Sequence, residues 1–504
     1  MNDSSPDLYI EQLNEVYIRV YSHDAGIEQE LSEYFTFMVP GARFTPAYKS
    51  KMWDGKIKLY ALSRKTIYAG LLKHVIEFAE YNKYKIDLSK VDKSWLTTDV
   101  SQDEIRRFVD SLNPSARGKL LDIRDYQYKA IHHMIFSNRS LSIVPTSGGK
   151  SLLIYSTIRW HLKHNRKIII IVPTTNLVEQ LYSDFEDYSS FNGFPVNDYC
   201  QKLYSGQSKE FTRHVLITTY QSIMRWTPQE FRNHNIDVAI IDEAHLAKAK
   251  MITKIMESLT TTKYRIGLTG TLDGTLTNSL VIEGLTGPIH KVISTKELMD
   301  DGHVTELKIK CILLQYSNET KKAASRLKYQ DELNYLVTNP KRNQVITSMA
   351  LSCSGNTLIL FQFVEKHGKV LYEMIKEKAK NRNVYFIYGN TSAAEREEIR
   401  KKIESEVDSI IIGSYQTVST GINIPSLENI IFASPSKSRV RNLQSIGRGL
   451  RLKEGKNHCI LFDIADDLSW KKRINYTLTH YLERVRIYTD EQFKFKIHKI
   501  VLED

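Results

Sequence analysis

Two short stretches of this chain carry the residue types that act on a phosphate ester. The first is Val144-Pro145-Thr146-Ser147-Gly148-Gly149-Lys150-Ser151, which follows the apolar run Leu141–Val144 and precedes a helix-like segment from Leu152 to His164. A strand, a glycine-rich loop and a helix in that order make a phosphate cradle. The glycines let successive N–H groups point at one anion, and the helix N-terminus adds a favourable dipole. Thr146, Ser147, Gly148 and Gly149 would line that cradle. Lys150 would reach the β- and γ-phosphates of a nucleotide such as ATP, and the Ser151 hydroxyl would hold Mg²⁺. An ordinary strand–turn–helix junction is the plainer alternative, and the strict pattern asks for a glycine where Val144 stands. The second stretch is Val238-Ala239-Ile240-Ile241-Asp242-Glu243-Ala244-His245. A buried strand there would deliver two adjacent carboxylates to its C-terminal end, as nucleotide hydrolysis requires. Asp242 is assigned to the metal and Glu243 to the attacking water. An acidic helix cap is the alternative, and it weakens if both stretches lie in one sheet.

The elements around these stretches predict how they are positioned. Between about 113 and 290, the apolar runs Leu141–Val144, Ile168–Val172, Val215–Thr218, Val238–Ile241 and Tyr264–Leu268 alternate with helix-like segments. Short buried strands alternating with helices predict a parallel sheet covered on both faces, which binds ligands at the C-terminal ends of its strands. From about 300 to 465 the pattern recurs in Thr357–Phe361, Val384–Tyr388, Ile410–Gly413, Ile430–Ala433 and Ile460–Asp463, with helices expected at Lys366–Lys378 and Ala393–Glu404. This half has no glycine phosphate loop. The expected fold class is α/β: two RecA-like parallel-sheet domains in tandem, a small α+β N-terminal domain and a short, partly helical C-terminal tail. The expected boundaries are 1–112, 113–290, 291–465 and 466–504, and the tail receives no role.

The N-terminal unit has its own signature. Tyr17–Tyr21 alternates as a strand, Ile27–Phe37 and Leu71–Tyr84 read as helices, and Asp54-Gly55 is a hairpin turn signal. After that turn Ile57, Leu59 and Ala61 are expected on one face of a strand, with Lys56, Lys58 and Tyr60 on the other. Arg43, Lys49, Lys51, Lys56, Lys58, Arg64 and Lys65 lie close in sequence, interleaved with Phe44, Tyr48, Trp53 and Tyr60. Cations for phosphates and flat rings for bases make a nucleic-acid-binding composition, with Arg43, Lys49, Lys51, Trp53, Lys56 and Lys58 as the expected contacts. The alternative is a solvated basic edge whose aromatics pack inward. Residues 86–112 read as a polar connection with one short helix.

Composition narrows the classes. At 504 residues the chain needs about three domains. Its 70 basic and 58 acidic residues leave a net charge of +12, which favours polyanionic partners, nucleic acid first. The four cysteines, Cys200, Cys311, Cys353 and Cys459, show neither zinc-ligand nor disulfide spacing, so a reducing compartment is expected. The N-terminus does not resemble a signal peptide, and the longest clean aliphatic run, Ile168–Val172, is too short to span a bilayer. The expectation is a soluble intracellular protein without membrane partners, a monomer or weak oligomer, lying in the host cytoplasm if phage-encoded.

Taken together, Ser147–Ser151 and Asp242-Glu243-Ala244-His245 resemble the motor of superfamily-two helicases of the DEAH-box-like kind. The family's other motifs follow in order. Arg124-Asp125-Tyr126-Gln127 is similar to the adenine-recognition element, so Arg124 and Gln127 would hold the base. Pro173-Thr174 onward and Thr218-Thr219-Tyr220-Gln221-Ser222 resemble motifs Ia and Ic, which implies contact of Thr174 and Thr219 with the nucleic-acid backbone. Leu268-Thr269-Gly270-Thr271 resembles motif III, and Thr357–Phe361 motif IV. Thr417–Asn423 resembles motif V, implying a backbone contact at Thr417 and a nucleotide contact at Gly421. Gln444–Arg451 resembles motif VI, whose implied arginine fingers are Arg448 and Arg451. A planar cation suits a transition state with spread negative charge. Trp53-Asp54-Gly55-Lys56 further resembles an element of phage recombination helicases, extending the likeness over nearly the whole chain. Two departures stand out: Ser147-Gly148-Gly149 where many relatives carry Gly-Ser-Gly, and Gly449 where Arg or Thr is common. The resemblance implies an ATP- and Mg²⁺-dependent DNA helicase or translocase acting on forks, recombination intermediates or DNA–RNA hybrids, single- and double-stranded DNA included, in recombination, replication and repair. The residues themselves leave open an RNA helicase, a duplex translocase that does not unwind, and a nucleic-acid-binding scaffold with an ATP switch.

Overall fold

The computed structural model describes residues 5–92, 95, 97–204, 210–246, 250–272, 275–421, 427–436, 438–450, 456 and 458–502. The chain divides into two compact units, residues 1–144 with 149–292, and residues 145–148 with 293–504.

In the first unit seven parallel strands form one sheet. Their spatial order is 200–203, 215–219, 168–172, 238–242, 264–269, 139–143 and 289–291. The five expected strands are all present within one or two residues; Cys200–Leu203 and Ile289–Lys291 were not expected. Both of these unexpected strands lie at sheet edges, where one side has no ladder partner and the apolar signal thins. Within the central strands, side chains alternate between two cores. Ile168, Ile170, Ile217, Ile240 and Ile266 face one layer of helices, whereas Ile169, Ile171, Leu216, Ala239 and Ile241 face the other. Helices on both faces are therefore required by the uninterrupted apolar runs.

The second unit carries seven parallel strands in the order 384–387, 410–414, 357–361, 429–432, 458–467, 306–315 and 495–501. Numbered by their sequence rank within each sheet, both sheets read 3-4-2-5-6-1-7. The two halves are topological repeats. Strand 495–501 is the counterpart of strand 289–291, so the segment expected as a C-terminal extension completes the second sheet. The expected helix from Lys366 is in part a π-helical turn, Val364–Gly368, that runs into the α-helix Lys369–Lys378.

The N-terminal residues form a four-stranded sheet in the order 66–68, 17–21, 8–12, 86–90, with helices Ala25–Tyr34 and Leu72–Asn82. Ile86–Lys90, expected within a connection, pairs in parallel with Leu8–Gln12; its polar, half-exposed sequence hides the strand. Tyr60, expected beside the lysines, is buried, and its hydroxyl donates to the Val20 carbonyl at 2.8 Å.

This sheet is joined to the first motor sheet by close contacts. Tyr17 and Tyr68 stack at 5.4 Å and both hydroxyls donate to Glu257 Oε1, at 3.0 and 2.7 Å. Glu15 accepts from Trp95 and from the buried Arg139, the first residue of strand 139–143. A Cβ on Gly70 would sit 2.1 Å from the Glu283 carbonyl oxygen, and one on Gly284 would sit 2.8 Å from Tyr68 Cβ. Leu280 of the motor helix Leu276–Leu285 belongs to the N-terminal core. The basic module is thus built onto the lobe that carries strand 139–143 and the acidic pair Asp242-Glu243.

Two outcomes follow from this packing. Gly70→Val forces the two layers apart and should cost about 1–3 kcal/mol, read as a lower urea midpoint of the first unit. Burial, with Arg166 and Arg342 nearby, holds His161 and His367 far below the ordinary value of 6.5, and burial brings His133 down to about 4. The folded protein leaves these rings neutral while the unfolded chain protonates them below pH 6.5, so stability is lost as pH falls. Calorimetry between pH 7 and 5 should show the thermal midpoint falling steadily.

Candidate nucleotide site and nucleic-acid interface

Register places the two chemical stretches side by side. Asp242 ends strand 238–242 opposite Leu268, and Thr269 ends strand 264–269 opposite Ile143, the last residue before the phosphate loop. Three adjacent strands therefore deliver Asp242-Glu243, Thr269 and the loop to one edge of one sheet. The loop then turns into the helix Lys150–Lys163. Ser147 and Gly149 both adopt left-handed backbone, at φ +70° and +88°. At that φ a side chain on residue 149 is strained, and a Cβ there would lie 2.4 Å from Gln127 Nε2 and displace it, so glycine is favoured. Gln127 is itself pinned, since its Oε1 accepts the Arg124 backbone N–H at 3.0 Å. Arg124 Nη1 donates to the Tyr126 hydroxyl at 3.0 Å.

Lys150 Nζ lies 2.6 Å from Glu243 Oε1 and 3.6 Å from Asp242 Oδ1. Burial opposes the charge on Lys150, but the Glu243 and Asp242 carboxylates outweigh it and hold the ammonium above its usual range. Burial likewise works against ionised Glu243, and Lys150 with His245 overcomes it, bringing the carboxyl down to about 2. For Asp242 burial prevails and its pKa is raised. One cation thus serves two carboxylates unequally. Glu243 also has left-handed backbone, at φ +54°, an uncommon conformation for a residue with a Cβ.

Two partners, Tyr188 and His245, carry no role in the sequence reading. Tyr188, from the helix Thr175–Ser189, holds the Ser151 hydroxyl at 2.8 Å. His245 Nδ1 stands 3.2 Å from Glu243 Oε2 and 3.0 Å from Thr269 Oγ1, linking the acidic stretch to the end of the next strand. Ser147 Oγ is buried without a partner among the described residues. His245 belongs to a recognised tetrad and could have been singled out; Tyr188 carries no local signal. An orphan hydroxyl, a loop with two left-handed residues, a cation and two carboxylates suit a nucleotide triphosphate with its divalent metal.

The other expected positions divide. Arg43, Lys49, Lys51, Lys56 and Lys58 are exposed, and Trp53 is half-buried with its Nε1 donating to the Lys56 carbonyl at 2.8 Å. Thr174 caps its helix through a 3.4 Å bond from the Leu177 N–H. Thr219 and Thr417 are each only 4% exposed; the Thr219 hydroxyl shares a hydrogen bond with Ser222 Oγ at 2.9 Å, and the Thr417 hydroxyl accepts from Ser414 Oγ at 2.8 Å. Arg448 lies in the helix Arg439–Gly449 and Gly421 ends the helix Tyr415–Gly421, but their side-chain surroundings fall outside the described residues, as does Arg451 entirely. The tail supports the approach to that arginine helix. Arg484 donates from Nε to Asp463 Oδ2 at 2.9 Å and from Nη1 to the Ser436 carbonyl at 2.9 Å, while the Tyr488 hydroxyl donates to Asp463 Oδ2 at 2.8 Å.

Two sheets of one topology, with a phosphate loop and an acidic pair on the first, define a tandem RecA-like motor of the superfamily-two helicases. Comparison with known proteins agrees. Residues 120–274 match the family model of the type III restriction enzyme res subunit, residues 341–453 the helicase conserved C-terminal domain, and residues 8–89 the N-terminal domain of the DNA helicase UvsW. The ATP-dependent DNA helicase uvsW of Enterobacteria phage T4 is 30% identical over 493 residues, covering 94% of this chain and 95% of that protein. The DNA 3'-5' translocase XPB2 of Sulfurisphaera tokodaii is 25% identical over 423 residues, 77% of this chain and 91% of that protein. The crystal structure of T4 UvsW aligns with a TM-score of 0.51 at 27% identity, over 99% of this chain and 100% of that one. The chain belongs to the UvsW family of helicases.

Replacing Lys150 tests the charge arrangement. Lys150→Met leaves Asp242 and Glu243 side by side without their cation, which raises both carboxyls and makes the folded state bind more protons than the unfolded one above about pH 4.5. Stability is then lost as pH rises. Thermal melts should show a larger deficit against the parent protein at pH 8 than at pH 5.

Proposed function

We propose that this chain is an ATP-dependent DNA helicase or translocase that acts on branched DNA in recombination and repair. The observation that carries the reading is Lys150 lying against Glu243 and Asp242 at the ends of adjacent strands, in a chain whose second half repeats the same sheet. Membership of the UvsW family, whose T4 member is named an ATP-dependent DNA helicase, supplies the substrate class.

In this reading residues 113–290 are the nucleotide-holding motor domain, 291–465 the second motor domain, 466–504 its C-terminal completion and 1–112 the basic module. Lys150 leaves its carboxylates to neutralise the β- and γ-phosphates, and Thr146, Ser147, Gly148 and Gly149 present backbone N–H groups. Gln127 and Arg124 hold the base. Ser151, through its hydroxyl, and Asp242 would hold Mg²⁺, which would supply neutralisation of phosphate charge. Glu243, ionised at neutral pH, accepts a hydrogen bond from water and orients it. His245 transmits the position of Glu243 to Thr269. Arg448 and Arg451 donate to the γ-phosphate, with Gly421 leaving room beside it. Arg43, Lys49, Lys51, Trp53, Lys56 and Lys58 grip DNA. Thr174 marks a further backbone contact. Thr219 and Thr417 are buried, so contact there passes through main chain. A duplex translocase that does not separate strands is the second reading, favoured by the likeness to XPB2.

The test is ATP hydrolysis at fixed salt with no nucleic acid, single-stranded DNA, forked DNA and matched RNA. Stimulation should be largest with forked DNA, and Lys150→Ala should lower the rate on the order of 10²-fold while leaving low-salt DNA binding intact. Stimulation chiefly by RNA, or none at all, would overturn the reading. Displacement of a labelled strand separates helicase from translocase.

A further inference from the structure

The inference rests on the reading of residues 1–112 as a nucleic-acid-binding module and concerns side chains which that reading leaves aside. Strands Thr36–Met38 and Lys56–Lys58 form a two-stranded ribbon, with Thr36 opposite Lys58 and Met38 opposite Lys56. The residues between them fold into a fixed tip. The Val39 N–H donates to the Gly55 carbonyl at 2.8 Å, and the Met52 and Trp53 N–H groups donate to the Ala47 carbonyl at 3.0 and 3.2 Å. Thr45 caps the turn Pro46–Lys49, and Gly55, at φ +77°, lets Tyr48, Ala42 and Met38 close to within 3.0 Å of where its Cβ would be.

On this frame Phe44 and Met52 stand 81% and 80% exposed. Phe44, which the inward-packing alternative would bury, is in solvent. Large apolar groups on a hydrogen-bonded tip cannot retreat into a core and are a standing cost unless a partner covers them. Arg43, Lys49, Lys51, Lys56 and Lys58 surround them in sequence, are exposed, and form no ion pair with a carboxylate among the described residues. The partner is therefore both polyanionic and locally apolar. A continuous duplex offers phosphates but covers its base faces. A duplex that opens into a branch exposes the face of its last base pair beside two phosphate strands. A membrane surface fits less well, because the tip holds two short helical turns, Ala42–Phe44 and Pro46–Lys49, rather than an extended amphipathic helix.

We propose that Phe44 and Met52 read the branch point. Their side chains pack on the uncovered face of the base pair where the duplex opens, while the cations bind the flanking phosphates. Phosphate contacts position and do not discriminate, whereas contact of apolar and aromatic side chains with bases exists only where bases are exposed.

Anisotropy titrations of the full chain, without ATP and at fixed salt, test this with a forked duplex and a closed dumbbell duplex that has no open end. The parent should prefer the fork. Phe44→Ala/Met52→Ala should weaken fork binding about tenfold and leave the dumbbell unaffected, and Phe44→Trp should retain the preference. Lys49→Ala/Lys51→Ala should weaken both DNAs. If the apolar variant binds the fork as the parent does while the lysine variant is weakened, the branch proposal fails and the basic module stands. Equal loss on fork and dumbbell from the apolar variant also overturns it. If the lysine variant leaves both DNAs unchanged, the nucleic-acid reading of the module fails and the proposal with it. Retention of the parent on phosphatidylserine vesicles, lost with the apolar variant while fork binding is unchanged, would reassign the tip to a membrane surface.

Discussion

The structure depends on a constraint of parallel sheets: all strands end on the same edge. Because strands 238–242, 264–269 and 139–143 are neighbours in register, the residues that follow each of them must meet. An acidic pair, a threonine and a glycine-rich loop that are widely separated in sequence become one site without any long-range side-chain search. The interaction that this edge then permits is Lys150 with Glu243 and Asp242. It is a strong but exchangeable arrangement, since a lysine ammonium can leave two carboxylates for a triphosphate that carries more charge.

Elsewhere in the two units, buried cations hold the secondary elements in place. Arg265 is fully buried and donates to the Leu285, Leu259 and Met256 carbonyls at 2.8, 3.0 and 2.7 Å, so it supplies donors to oxygens at the C-terminal ends of two helices. In the second unit Arg342 pairs with Asp466 at 2.9 Å and donates to the Ala433 carbonyl at 2.8 Å, and Arg484 performs the same service from Asp463 to the Ser436 carbonyl. Arg342 and Arg484 tie helices to the C-terminal strand ends of the second sheet, whereas Arg265 fastens helix ends at the N-terminal edge of the first. Losing any one would strand buried acceptors or charges, which is costlier than the pair is worth in water.

The N-terminal module is organised by the opposite principle. Its inner face is welded to the first motor sheet through Glu257, Glu283, Gly70 and Gly284, and its outer ribbon is kept polar, basic and apolar at once. Rigidity on the inside and unsatisfied surface on the outside are what a recognition element requires. Where the motor spends its polar groups on one another, this ribbon leaves its cations unpaired among the described residues.

The sequence by itself determined the two motor sheets. Runs such as Ile168–Val172 and Thr357–Phe361 are too apolar to sit anywhere but between two helical layers, and a glycine loop or an acidic pair after such a run must sit at a strand's C-terminal end. Lys150, Ser151, Asp242 and Glu243 were legible for that reason. The edge strands 200–203, 289–291 and 495–501, the inner strand 306–315, and the strand 86–90 were decided by tertiary structure, because a strand with a charged or half-exposed pattern is specified by its neighbours rather than by its own periodicity. The same holds for Tyr188 on Ser151, for the burial of Thr219, Thr417 and Tyr60, and for the exposure of Phe44. Whether a single aromatic faces a core or solvent depends on where the rest of the chain folds around it, and spacing along the sequence carries no record of that.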